Sequence, residues 1–155
     1  MIALITGASS GMGKDMARRL SELGYDLILV ARRKERLEDL QKRLKTKVKI
    51  IDLDLSVEKN LYHLYDLTKD DNIDILINNA GFGLFGVFNK TDLDTELNMI
   101  DTNIKAVHIL TKLYLKDFIN IDVVGDLATE VTKEELKENE TTLNNYFKHI
   151  FGSPR

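Results

Sequence analysis

Thr6-Gly7-Ala8-Ser9-Ser10-Gly11-Met12-Gly13 is where residue type and spacing point most directly to chemistry. Clustered glycines let a backbone turn sharply and approach a ligand closely. The free N–H groups of a helix that starts there meet negative charge. Such a turn suits the diphosphate of a nucleotide when a strand precedes it and a helix follows. Two other chemistries share parts of the pattern. Gly7-Ala8-Ser9-Ser10-Gly11 fits the elbow of a serine nucleophile, which needs a later acid and a histidine in a loop after a strand. His63, His108 and His149 all fall in helical patterns instead. Gly13-Lys14 resembles the end of a phosphate loop, but Ala8 stands where its first glycine belongs and Asp15 replaces the residue that would hold magnesium. The dinucleotide alternative remains, with Gly7, Ser9, Ser10, Gly11, Met12 and Gly13 as candidate contacts.

A second constellation bears on which dinucleotide is taken. About 20 positions on, where an acid usually meets the ribose 2′-hydroxyl, the chain has Ala31-Arg32-Arg33-Lys34. No carboxylate is at hand, and the cations favour a 2′-phosphate, hence NADP(H). Arg32 is expected to carry this preference with Arg33 beside it, while Lys34 starts a solvated helix. A charge-assisted pair of about 1.5–3 kcal/mol favours NADP over NAD by roughly ten- to a hundredfold. A second glycine cluster, Gly81, Gly83 and Gly86, follows Asn78-Asn79-Ala80.

The elements that position these residues are legible as an alternation. Ile2–Thr6, Tyr25–Ala31, Val48–Leu53 and Ile73–Ile77 are short apolar runs. Helical patterns lie between them, through Met12, Met16, Leu20 and Leu23, through Leu37, Leu40 and Leu44, and around Leu61, Leu64 and Leu67. Strands apolar throughout belong to a parallel sheet covered on both faces, and strand–helix alternation gives a doubly wound α/β fold. One long helix is expected over about 93–118, a fifth strand over Ile119–Val124, and an amphipathic helix opening at the capping box of Thr132.

Composition sets the outer limits. The chain has 155 residues, 43% hydrophobic and 30% charged, with a net charge of −3. That is one globular domain and no polyelectrolyte, which argues against broad nucleic-acid or anionic-membrane binding. With no cysteine, disulfides, zinc–thiolate sites and thiol nucleophiles are excluded. No metal site, membrane span or signal peptide is expected, and the cytoplasm is the default location.

With these residues in hand, the chain resembles the short-chain dehydrogenase/reductase family over about residues 1–118. Thr6-Gly7-x-x-x-Gly11-x-Gly13 looks like its cofactor loop, and Asp54-Leu55-Ser56 is similar to the segment that sets an aspartate beside the adenine. Asn78-Asn79-Ala80-Gly81 looks like its sheet-stabilising signature, which lines the nicotinamide side of the cleft. Asn103 lies at the spacing of the asparagine that supports a catalytic water relay. The resemblance thus implies a Rossmann-like sheet of strand order 3-2-1-4. It also implies cofactor contacts at Asp54, Leu55, Asn79, Ala80 and Gly81, and a catalytic role for Asn103.

The family's chemistry also needs a serine after the fifth strand and a Tyr-x-x-x-Lys on the next helix. Tyr65-x-x-x-Lys69 has the spacing but lies before the fourth strand, as an i,i+4 surface pair. Tyr146 has Ile150 where the lysine belongs, and Thr132 is a poor substitute for the serine. The resemblance stops near Phe118, and Pro154 is the sole proline. The expectation is therefore a truncated fold with a divergent segment 119–155, all within one domain. Its function is NADP(H) binding with impaired catalysis. One alternative is an active oxidoreductase on a carbonyl or alcohol, its missing groups supplied by Tyr146 or a partner chain. The other is a structural or interaction module. An exposed strand edge and exposed helix faces imply a homo-oligomer.

Overall fold

A computed structural model of the chain describes residues 1–118. Four parallel strands, β1 (Ile2–Thr6), β2 (Asp26–Ala31), β3 (Val48–Asp52) and β4 (Ile75–Ile77), lie in the order β3-β2-β1-β4. This is the expected 3-2-1-4 arrangement. Crossovers run through α1 (Gly11–Glu22), α2 (Lys34–Gln41) and α3 (Glu58–Thr68), and β4 leads by a long loop and a short 3₁₀ turn (Phe88–Lys90) into α4 (Leu93–Ile100) and α5 (Ala106–Phe118).

The period of two along each strand sends alternate side chains into two cores. Leu4, Ile28 and Val30 pack with Leu61, Leu64, Leu110 and Tyr114 on the α3–α5 side. Ala3, Ile5, Leu27 and Leu29 pack with Ala17, Leu37 and Leu40 on the α1–α2 side. Both faces of β1 and β2 are thus covered, which is why these two strands are apolar almost throughout, while the edge strand β3 exposes Lys49 and Asp52.

Three expectations about helices are corrected. In α1 the apolar pattern marks the buried face only in part: Leu20 packs against the core, but Met12 and Leu23 are exposed, and Gly13, Ala17 and Ser21 are the buried residues. Small residues at intervals of four let this helix lie close on the strands. In α3, Leu67 is exposed and Thr68 is buried. The long helix over 93–118 is interrupted by a turn of π-helix at Asp101–Lys105, where the Ala106 N–H reaches the Asp101 carbonyl five residues back. One extra residue in that turn shifts the helical face.

Residues 1–118 form a compact unit. The expected fifth strand, Thr132, Tyr146, Ile150 and the closing amphipathic helix lie outside the described residues. Among the described residues, no helix is long and apolar enough to cross a membrane.

Candidate cofactor-binding site

The order of winding reverses between β1 and β4, and a crevice opens at the carboxyl ends of these strands. Thr6, the last residue of β1 and 1% exposed, stitches its two walls together. Its Oγ1 donates to the Ile77 carbonyl at 3.3 Å and accepts from the Asn79 and Ala80 N–H groups, each at 3.0 Å. The Asn79 Nδ2 returns two bonds, to the Thr6 carbonyl at 3.0 Å and the Gly7 carbonyl at 3.3 Å. The turns after β1 and β4 are therefore one hydrogen-bonded body.

The three glycines of the first cluster have different reasons to be glycine. A Cβ on Gly7 would lie 2.8 Å from the Ala80 Cα, and one on Gly13 would lie 2.5 Å from the Gly7 carbonyl oxygen. These two permit close packing. Gly11 has φ +54° and nothing within 4 Å of a built Cβ, and it borders open space. It supplies a left-handed bend at the point where α1 begins.

The open space is a cavity of about 310 Å³. Gly7, Ser9, Ser10, Gly11 and Met12 form its floor at the α1 end. Arg32, Arg33, Asp54 and Leu55 form one flank, and Asn79, Ala80 and Gly81 the other. Every residue expected to touch a dinucleotide is on this lining except Gly13, which is buried beneath it. Phe82 and Thr102 also line it and were not anticipated.

The two arginines divide. Arg33 Nη2 stands 3.3 Å from Ser10 Oγ and 3.5 Å from Ser9 Oγ. Arg32 Nη1 instead lies 3.8 Å from Asp54 Oδ2. The guanidinium beside the serine hydroxyls is thus that of Arg33, where the sequence favoured Arg32. Asp54 is held by its own turn, its Oδ1 accepting from the Ser56 N–H at 3.0 Å and the Ser56 hydroxyl at 2.8 Å.

Asn103 sits within the π turn, and its amide clamps the loop after β4. Nδ2 donates to the Phe82 carbonyl at 2.8 Å, and Oδ1 accepts from the Phe82 N–H at 3.0 Å. A Cβ on Gly81 would lie 3.0 Å from that Oδ1, so glycine also allows the clamp to close. Next to it, Thr102 Oγ1 donates back to the Asn98 carbonyl at 2.9 Å. Asn78 anchors the same loop by donating to Thr111 Oγ1 on α5 at 3.0 Å.

Tyr65 and Lys69 are remote from this cavity and are not a pair. Tyr65 donates to Asp117 Oδ1 at 3.0 Å, and Lys69 reaches Asp66 at 3.4 Å. Desolvation, with the Asp117 bond next, raises the Tyr65 hydroxyl above its ordinary pKa.

A signal for Thr6 existed in the sequence. A hydroxyl at the end of a strand otherwise apolar throughout must find partners where it is buried. Phe82 and Thr102 carried no such mark, because they reach the cavity through a loop and through the π turn.

Residues 1–127 match the model of the short chain dehydrogenase family. The chain is 35% identical over 112 residues to an oxidoreductase of Staphylococcus epidermidis, covering 70% of this chain and 49% of that protein. It is 36% identical over 124 residues to an NADP-dependent 3-hydroxy acid dehydrogenase of Escherichia coli, covering 77% and 49%. A short-chain dehydrogenase from Sphingobium yanoikuyae, solved in complex with NADPH, superposes with a TM-score of 0.73 at 36% identity, covering 77% of this chain and 48% of that one. The chain spans about half the length of the curated relatives it matches.

Proposed function

The chain belongs to the short-chain dehydrogenase family, and from that premise we propose that it binds NADP(H) as the cofactor half of an oxidoreductase for a carbonyl or alcohol. The observation that carries this reading is the Arg33 guanidinium over the Ser9 and Ser10 hydroxyls. Among the described residues it has no ion-pair partner, and no acid follows β2 in the place suited to a ribose 2′-hydroxyl. A 2′-phosphate supplies the missing negative charge and enough acceptors for both serines and the fork of the arginine. The residues fit the rest of a dinucleotide as well. The bend at Gly11 leaves its surroundings free of protein atoms beside the start of α1, where a diphosphate is favoured. Asp54 and Leu55 suit the adenosine end, and Asn79, Ala80 and Gly81 the nicotinamide end. When bound, NADP(H) supplies the hydride chemistry.

The protein's own residues bind and orient. The Thr6–Asn79 stitch holds the two turns at a fixed separation, and Asn103 holds Gly81 and Phe82. Asn103 is a positioning residue in this reading: both ends of its amide are engaged with backbone.

Proton exchange is the weak point. Within these 155 residues no Tyr-x-x-x-Lys follows the Asn-Asn-Ala-Gly segment. Loss of a positioned acid–base pair lowers the rate by roughly 10²–10⁴. The chain is therefore a cofactor binder whose own turnover is slow, and it self-associates through apolar residues left exposed on α4 and the π turn.

Parallel calorimetric titrations with NADPH and NADH test the reading. Tighter binding of NADPH, lost on Arg33→Ala, upholds it. Equal affinity for both would remove the 2′-phosphate assignment, and failure of both to bind would leave only the fold.

A further inference from the structure

On the other side of the Ser9–Gly11 turn, a second cleft of about 310 Å³ opens between α1 and α2. Lys14 projects from α1, and Arg36 and Arg43 stand on α2 and the turn after it, spaced around Leu40 on one face. Among the described residues, none of these three cations has an ion-pair partner. Their neighbours Arg18, Arg19 and Lys42 each hold a carboxylate. The cleft's one acid, Asp39, is the group that Lys42 holds, at 3.3 Å. A cationic cleft is thus left open in a chain of net charge −3. Converging like charges repel one another, and an anion between them relieves that cost. The Ser9 and Ser10 hydroxyls on the shared wall add donors.

We propose that this cleft is a phosphoryl-anion site, taking a phosphate or phosphate monoester between Lys14, Arg36 and Arg43. Lys14 brings a point charge and the two arginines bring planar forks, a combination suited to a tetrahedral anion with several acceptors. The 2′-phosphate assigned to Arg33 lies in the cofactor cavity on the other side of the turn, so the anion of this cleft is that of a free phosphorylated molecule.

The test is a titration of the whole chain with inorganic phosphate in chloride buffer, followed by the amide resonances of Gly11, Lys14 and Arg43. Saturable shifts are expected, with Kd raised roughly three- to tenfold by Lys14→Ala or Arg43→Ala and largely restored by Arg43→Lys. Circular dichroism identifies any variant that fails to fold, and Arg36→Gln then takes its place. The titration is repeated on chain saturated with NADPH. Phosphate binding unchanged by NADPH upholds a site separate from the cofactor's, and its displacement overturns that site. Linear shifts without saturation, or a Kd indifferent to Lys14→Ala/Arg43→Ala, overturn the site. The phosphate arm needs no cofactor, so failure of NADPH to bind leaves it standing.

Discussion

Arg33 and Gly13 are the residues at which single-atom geometry has the largest consequences. Arg33→Ala removes the cation beside Ser9 and Ser10, so NADPH affinity should fall roughly ten- to a hundredfold while NADH affinity barely moves. Arg32→Ala should cost less, because Arg32 already leans on Asp54. Calorimetry on both variants ranks them, and the reverse order would return the phosphate to Arg32. The sequence brought both arginines to the site but not their order, since adjacent residues after a strand differ in direction by a bond rotation that no spacing encodes. Gly13 makes a different case. A Cβ there would lie 2.5 Å from both the Gly7 carbonyl oxygen and the Asn79 amide nitrogen. Gly13→Ala should therefore destabilise by about 1–3 kcal/mol, read as a lower urea midpoint. Gly11→Ala meets no atom and costs about 1 kcal/mol, the strain of a left-handed bend. Equal losses in the two variants would show that the close packing beneath the turn has been misjudged.

Helices expose what apolar spacing can and cannot convey. The strands and their joint burial were legible because continuous apolar runs have one stable use, a sheet covered on both faces, while their order followed from the family resemblance. The buried face of α1 was legible only in part, since Gly13, Ala17 and Ser21 bury little area yet decide how near the helix lies to the sheet. The π turn at Asp101–Lys105 escaped notice for a related reason: one added residue preserves amphipathic spacing on either side. Asn103 was legible as a site residue, but its double bond to Phe82 was not. Asn103→Ala should open that clamp, so the Phe82 amide should exchange with solvent several-fold faster while the amides of β1 stay protected. Between α3 and α5, Thr68 Oγ1 and Tyr114 OH share a buried hydrogen bond of 2.5 Å. Burial pushes the Tyr114 hydroxyl up to about 12. Its folded pKa lies above the unfolded value of 10.0, so the folded state keeps a proton that the unfolded chain loses. The associated stability is intact below pH 10 and declines, by about 1–3 kcal/mol in all, as pH rises to 12. Urea midpoints across that window should fall for the wild type and flatten for Tyr114→Phe. Parallel slopes would assign the alkaline loss to other groups.

Across the whole molecule, the described residues leave apolar surface without a cover. β4 is bonded only to β1 among the described strands, and Phe85 and Phe88 in the following loop are 95% and 85% exposed. Leu93, Leu97, Ile100 and Ile104 recur at intervals of three and four along α4 and the π turn, all exposed. Such a stripe is wider than the isolated apolar residues a soluble surface tolerates, and a free strand edge is a template for pairing. Water is best excluded by a second copy presenting the same stripe, since an isologous contact buries both at once. Light scattering on the full chain should therefore give a mass above that of the 17.7 kDa monomer, increasing with concentration. Leu97→Lys with Ile104→Glu should shift the population toward monomer without lowering NADPH affinity, because neither residue lines the cofactor cavity. Retained self-association in that variant would move the contact to the β4 edge, where Ile75→Lys is the next substitution to make. A monomer at every concentration in the wild type would mean that this surface is covered within the chain itself, and the homo-oligomer proposal would fall.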